Sequence, residues 1–160
     1  LRGSGRLGMI VSVGTAPTVS MGAEATVTMH LGRWSLGLSL RGLSAVPFDL
    51  KKGGLSVSQF SAKLLPGVRL GAWGVCLSIE AGALLVSPYG LDDPAVSLTP
   101  LVGVGARLAW YLWESRAGRL LLFVEADASL IRTGVRVSGD EVWRRPLISG
   151  NSGLSFERLF

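Results

Sequence analysis

The stretch Leu120-Leu121-Leu122-Phe123-Val124-Glu125-Ala126-Asp127-Ala128-Ser129-Leu130 decides the fold. Its even positions are all apolar, while Glu125, Asp127 and Ser129 stand between them. A period of two puts the apolar set on one face of a strand and the polar set on the other. The alternation recurs along the chain, in Val19-Met21-Ala23-Ala25-Val27-Met29, in Trp34-Leu36-Leu38-Leu40, in Phe60-Ala62-Leu64, in Leu77-Ile79-Ala81-Ala83-Leu85 and in Val102-Val104-Ala106-Leu108-Trp110-Leu112.

The 160 residues suffice for one domain. They are 48% hydrophobic, with a mean hydropathy of +0.44. No apolar run approaches the roughly 18 residues of a membrane-spanning helix. Strands that are apolar on one face and charged on the other, in so hydrophobic a chain, fit a closed barrel with its apolar face toward lipid and its polar face toward the lumen. A soluble sandwich would bury the apolar faces between two sheets, but it would leave Gly103, Gly105 and Arg107 in water. The expected fold is therefore all-β: an eight-stranded antiparallel up-and-down transmembrane barrel.

The strands are expected at about 6–15, 18–31, 33–45, 55–70, 74–87, 99–114, 119–137 and 147–160. Gly32-Arg33, Gly71-Ala72 and Ser115 to Gly118 read as tight turns. The connections Pro47 to Gly54, Ser87 to Ser97 and Ser138 to Arg145 read as longer loops at the other end, the asymmetry of outer-membrane barrels. The first connection, at Ala16-Pro17, should share the long-loop end but is short. Residues 1–160 form a single barrel domain, or the C-terminal part of a longer precursor. A signal peptide is expected to have been removed or to lie upstream of Leu1.

The tight turns predict a register. A turn centred between Gly32 and Arg33 sets Glu24 opposite Arg41, and one between Gly71 and Ala72 sets Lys63 opposite Glu80. The third hairpin brings Arg107 opposite Glu125, or Asp127 two residues on. All these pairs have lumenal parity and lie at one height. Opposite charges across a ladder stabilise pairing, whereas an unpaired buried charge is costly. The prediction is an ion-pair belt inside the barrel.

Trp34, Trp73, Trp110 and Trp113 fall at the short-turn end, as an interfacial girdle would. The net charge is +5, but the arginines are scattered singly, which argues against nucleic-acid binding. Cys76 is the only cysteine and His30 the only histidine. No internal disulfide or multi-histidine metal site can form, and His30 is read as lumen filling. Gly103-Val104-Gly105 precedes no helix and is no phosphate loop. Asp92 and Asp93, with Asp49 and Asp140, are read as solvated loop charges rather than a calcium site. No catalytic site, metal or cofactor is expected. Lys51, Lys52, Arg132, Arg136, Arg144 and Arg145 gather at the long-loop end, and Arg132 and Arg136 share the outward parity of Leu130.

The closing segment Leu154-Ser155-Phe156-Glu157-Arg158-Leu159-Phe160 resembles the assembly signal of bacterial outer-membrane barrels. That resemblance implies that Phe156 and Phe160 are read by the outer-membrane insertion machinery. Arg158 stands where an apolar or aromatic residue is usual. In size and strand count the whole chain is similar to the small barrels of the OmpA and OmpX kind. A narrower resemblance over roughly 30–160 rests on GRWSLGLSLRG, LLPGVRLGAWGVCL, VGVGARLAWYL and GVRVSGDEVWRRP, which look like an uncharacterised group of myxobacterial barrels. In that group cysteines often stand at the positions of both Gly67 and Cys76. It carries no assigned activity.

These readings imply a bacterial outer-membrane location and a structural, anchoring or envelope-interaction role. The expected partners are membrane lipid and lipopolysaccharide, the latter met by the basic rim. A small-solute pore is the alternative, and the long lumenal side chains argue against it.

Overall fold

The computed structural model describes residues 2–50, 53–89, 97–131, 134–137 and 140–160. Eight strands form the wall: β1 (Arg2–Val13), β2 (Ser20–Leu31), β3 (Trp34–Ala45), β5 (Gly53–Leu70), β6 (Trp73–Tyr89), β7 (Ser97–Glu114), β8 (Arg119–Ser129) and β11 (Ile148–Leu159). Each pairs antiparallel with its neighbours in chain order, β3 with β5 and β8 with β11. The ladder from Ser4↔Leu159 to Val13↔Gly150 closes β11 onto β1. Three short strands lie outside this ring. β4 (Phe48–Leu50) pairs with the start of β5, while β9 (Gly134–Val137) and β10 (Asp140–Arg144) form a separate hairpin.

The turns set the register. Gly32 and Gly71 adopt φ of +63° and +65°, which glycine takes without strain, and they leave Leu31↔Trp34 and Leu70↔Trp73 as the pairs next to their turns. A bulge between Tyr111 and Trp113 gives the β7–β8 hairpin its own register, Arg107↔Glu125. It also brings Trp110, Leu112 and Trp113 all to the outside. Trp73 and Trp110 are cross-strand partners and stack with ring centroids 5.5 Å apart. Both chain ends lie at this short-turn end, since Arg2 pairs with His30 and Phe160 exchanges backbone hydrogen bonds with Gly3.

Two expectations are corrected. The seventh strand does not run to 137. Its barrel ladder stops at Ser129, whose hydroxyl bonds the Ile131 carbonyl, and 134–137 pairs with 140–144 instead. The outward parity of Leu130 therefore cannot be carried on to Arg132 and Arg136. The long-loop end is also less loop-like than expected. β5, β6 and β7 have 18, 17 and 18 residues, against 11 or 12 in the other wall strands. A spanning strand needs roughly 9–11 residues. One side of the wall therefore rises well beyond a bilayer's apolar band.

The outer wall is apolar throughout, with Met9 77% and Leu98 71% exposed and Leu7, Leu40, Leu77 and Phe60 close behind. Contiguous apolar surface beyond a few hundred Å² marks contact with membrane or protein. Here it encircles the barrel, which is the geometry of a lipid solvent. The barrel is expected to fold only in detergent or lipid and to migrate differently on gels with and without boiling. A monomer soluble without detergent would contradict the membrane-spanning reading.

Candidate functional site

The inward positions of the eight strands fill the lumen, and they do so in layers. An eight-stranded barrel is just wide enough for its own side chains to occupy. At mid-height Arg107 is the hub. It donates to both oxygens of Glu24, at 2.6 and 2.7 Å, and from Nε to Glu125 at 2.7 Å. Its guanidinium also lies 4.2 Å from the centre of the Phe123 ring. Arg41 bridges the same two carboxylates, with Nη2 2.8 Å from Glu24 and 2.8 Å from Glu125. Arg6 donates to Glu24 and to Thr26, both at 3.1 Å.

The Lys63 side chain is fully buried and crosses the lumen rather than staying on its own ladder. Its register partner Glu80 is 3.7 Å away, but Glu125 and Asp127 lie at 2.7 and 2.6 Å. Gln59 donates to Glu80, Ser78 to Asp127, and Asn151 to both Glu125 and Asp127. Charges taken out of water survive only when each is paired and its remaining donors and acceptors are met. The carboxylates meet that condition by each being shared among several donors, while Arg6 Nε, Gln59 Oε1 and Asn151 Oδ1 are buried at the network's edge without a hydrogen-bond partner among the described residues. The register places Glu24, Arg41, Lys63, Glu80, Arg107 and Glu125 as read from the sequence, with Asp127 facing Gly105. Arg6, Gln59, Ser78 and Asn151 were missed. Their signal was inward parity at the height of the belt.

Above the belt the lumen turns apolar. Leu55, Val57, Leu84, Val86 and Leu101 form a buried collar with Ala16 and Ala45, and Trp143 from the β9–β10 hairpin packs against it. The short first connection folds inward, with Thr15 buried and bonded to Ser12. Below the belt a cavity of about 40 Å³ lies between Arg6, His30, Cys76, Arg107 and Tyr111. That is space for a few water molecules and no more. Cys76 is a free thiol on this cavity, opposite Gly67, where an added Cβ would press on its sulfur.

Ser4, His30 and Glu157 meet at the short-turn end. Ser4 Oγ lies 2.9 Å from His30 Nε2 and donates to Glu157 at 2.6 Å, but Glu157 approaches that same Nε2, at 3.5 Å. A relay needs the acid on the opposite ring nitrogen from the hydroxyl. This arrangement lacks that, and it is packed as filling.

The basic rim fares differently. Lys51, Lys52 and Arg132 lie outside the described residues, as do Asp92 and Asp93. Arg136 sits in β9, in register with Glu141, and not on the barrel wall. Arg144 is exposed. Arg145 is not on the rim at all: it is 4% exposed, tucked into the mouth where Glu80 and Asp127 supply opposing charge. Phe156 and Phe160 face outward at the short-turn end.

No protein-family profile matches the chain, and no curated protein matches it in sequence. Solved structures match its fold. Ail, the attachment invasion locus protein of Yersinia pestis, superposes with a TM-score of 0.67 at 10% identity, covering 99% of this chain and 98% of Ail. Neisserial surface protein A gives 0.56 at 6% identity over 98% and 95% of the two chains. The N-terminal β-barrel domain of Pseudomonas aeruginosa OprF gives 0.54 at 11% identity over 98% and 97%. The fold is that of the small eight-stranded outer-membrane barrels.

Proposed function

We propose that this chain is a non-conducting barrel of the bacterial outer membrane that anchors and presents its raised β5–β7 end to the envelope surroundings. The observation that carries the reading is the lumen. Among the described residues, a shared ion-pair layer and an apolar collar packed against Trp143 fill the lumen, with a cavity of about 40 Å³ below them. Side chains of the described residues cross the lumen and the Ser4–His30–Glu157 group lacks relay geometry, which favours an anchoring role over a pore or an enzyme. Phe156 and Phe160 would serve recognition by the insertion machinery, and the narrower affiliation with the myxobacterial barrels adds no activity to this role. Proteoliposomes carrying the protein are expected to swell in arabinose no faster than empty ones. Porin-like swelling would overturn the reading.

The contact surface we assign is the outer rim, where Lys51, Lys52, Arg132, Arg136 and Arg144 supply positive charge. Ail has been solved in complex with the heparin analogue sucrose octasulfate, an anionic sugar. A barrel of this fold thus has a precedent for binding such a ligand. For a rim at the outer leaflet, lipopolysaccharide phosphate is the anion met first, through charge-assisted hydrogen bonds. Replacing Arg132, Arg136 and Arg144 together by Gln is expected to cut retained lipopolysaccharide several-fold, with the loss growing as salt is lowered. Unchanged retention in the folded variant would leave these arginines as interfacial anchors alone.

A further inference from the structure

The short-turn end carries an asymmetry that the lumen does not explain. On the β7–β8 side Arg69 and Arg119 share one carboxylate, Glu114, at 2.8 and 2.6 Å, and Arg116 is exposed in the turn. On the β11–β1–β2–β3 arc, Arg158, Arg2 and Arg33 form no ion pair among the described residues, Arg33 lies 5.7 Å from the centre of the Trp34 ring, and Glu157 turns inward to Ser4. Arg158 has outward parity on β11, on the lipid side of the wall. It stands at the level of the tryptophan girdle, where phospholipid headgroups end and chains begin.

The wall directly above this arc is indented. Two cross-strand rows define it: Arg158, Gly5, Val27 and Leu38, then Phe156, Leu7, Ala25 and Leu40. The small members, Gly5 and Ala25, sit diagonally, so the dip starts beside the Arg158 guanidinium and climbs toward the bilayer centre. A Cβ on Gly5 would touch only the Phe160 ring, at 3.7 Å, so the space is open rather than needed for strand packing. The recess measures about 580 Å³ and is walled by Leu7, Val27, Leu38 and Leu40. A cation at the interface with an apolar trench rising from it has the polarity of one lipid molecule standing in the leaflet.

We propose that this recess binds an anionic phospholipid of the leaflet at the short-turn end, with its phosphate on Arg158 and an acyl chain along Gly5 and Ala25. Arg2 and Arg33 add the positive field that favours a net-negative headgroup over a zwitterionic one. Short turns face the periplasm in barrels of this type, so the lipid belongs to the periplasmic leaflet and not to the lipopolysaccharide layer. The inference rests on the membrane-spanning reading. A barrel that is soluble without detergent would remove both, whereas the binding experiment tests the site alone.

The test is native mass spectrometry of the folded barrel, delipidated in detergent and titrated with dioleoyl phosphatidylglycerol or dioleoyl phosphatidylethanolamine. The wild type is expected to retain a single phosphatidylglycerol with a preference of about fivefold or more, the effect of roughly one interfacial arginine contact. Arg158→Gln is expected to lower retention of both lipids and to reduce the preference, and the triple change Arg2→Gln, Arg33→Gln, Arg158→Gln to erase it. Gly5→Leu with Ala25→Leu, which fills the trench, is expected to lower retention of both lipids. Unboiled gels verify that each variant is folded. Equal retention of the two lipids by the wild type, or an unchanged preference in Arg158→Gln, would overturn the proposal. So would a lipopolysaccharide complex lost on the same substitution.

Discussion

Arg107→Ala is expected to lower the stability of the folded barrel by about 3–5 kcal/mol, the usual cost of breaking a buried ion pair from one side. The loss would be read as a shift in the urea midpoint of folding into micelles. Its cause is the pair of carboxylates left behind. Glu24 would lose two bonds of 2.6 and 2.7 Å, and Glu125 one of 2.7 Å. Arg41, Arg6 and Lys63 still touch those carboxylates, which places the effect toward the lower end of the range. Because the groups share partners, Arg107→Ala combined with Glu125→Ala should cost clearly less than the two single losses added together. A neutral Arg107→Ala would mean that the hub role drawn for this side chain is wrong.

The second large effect is expected at a glycine. Gly22 faces the lumen on β2, and a Cβ there would overlap the backbone carbonyl of Gly42 on β3. A backbone atom of a paired strand cannot rotate away as a flexible side chain can. Gly22→Ala should therefore cost at least the 1–3 kcal/mol typical of overpacking. In a barrel whose circumference is fixed by closure, it should show as a much reduced folded fraction on unboiled gels. Gly150→Ala is the control. Nothing lies within 4 Å of a Cβ at that outward position, so the change should be within about 0.5 kcal/mol of wild type. If both alanines behave alike, the close approach of β2 and β3 is not a constraint on folding.

The barrel itself was legible because its signals are local. Alternation assigns each side chain to a face, and Gly32 and Gly71 mark turns tight enough to set the ladders of β2–β3 and β5–β6 residue by residue. That is why Glu24 and Arg41, or Lys63 and Glu80, could be placed opposite each other from spacing alone. Contacts across the lumen are a different matter, since they depend on strand tilt and stagger rather than on any one hairpin. Lys63 reaching Glu125 and Asp127 belongs to that class, as does Arg107 reaching Glu24.

The outer end was misread for a physical reason as well. Leu84, Val86 and Leu101 have inward parity, where a membrane barrel was expected to be polar. They lie where β5 to β7 rise beyond the band, and there the interior is packed like that of a water-soluble protein. The β9–β10 hairpin breaks the alternation on which the parity of Arg132 and Arg136 depended, and it folds Trp143 and Arg145 inward. A two-residue period cannot report where a strand leaves its ladder. Only the partner strand decides that.

Single-channel recording in planar bilayers tests the closed lumen most directly. With the buried Arg41–Glu125, Lys63–Asp127 and Arg107–Glu24 contacts spanning the interior and the apolar collar above them, the folded wild type is expected to give no steady conductance at neutral pH. Reproducible single-channel steps from folded wild-type protein would contradict the account and make the chain a pore.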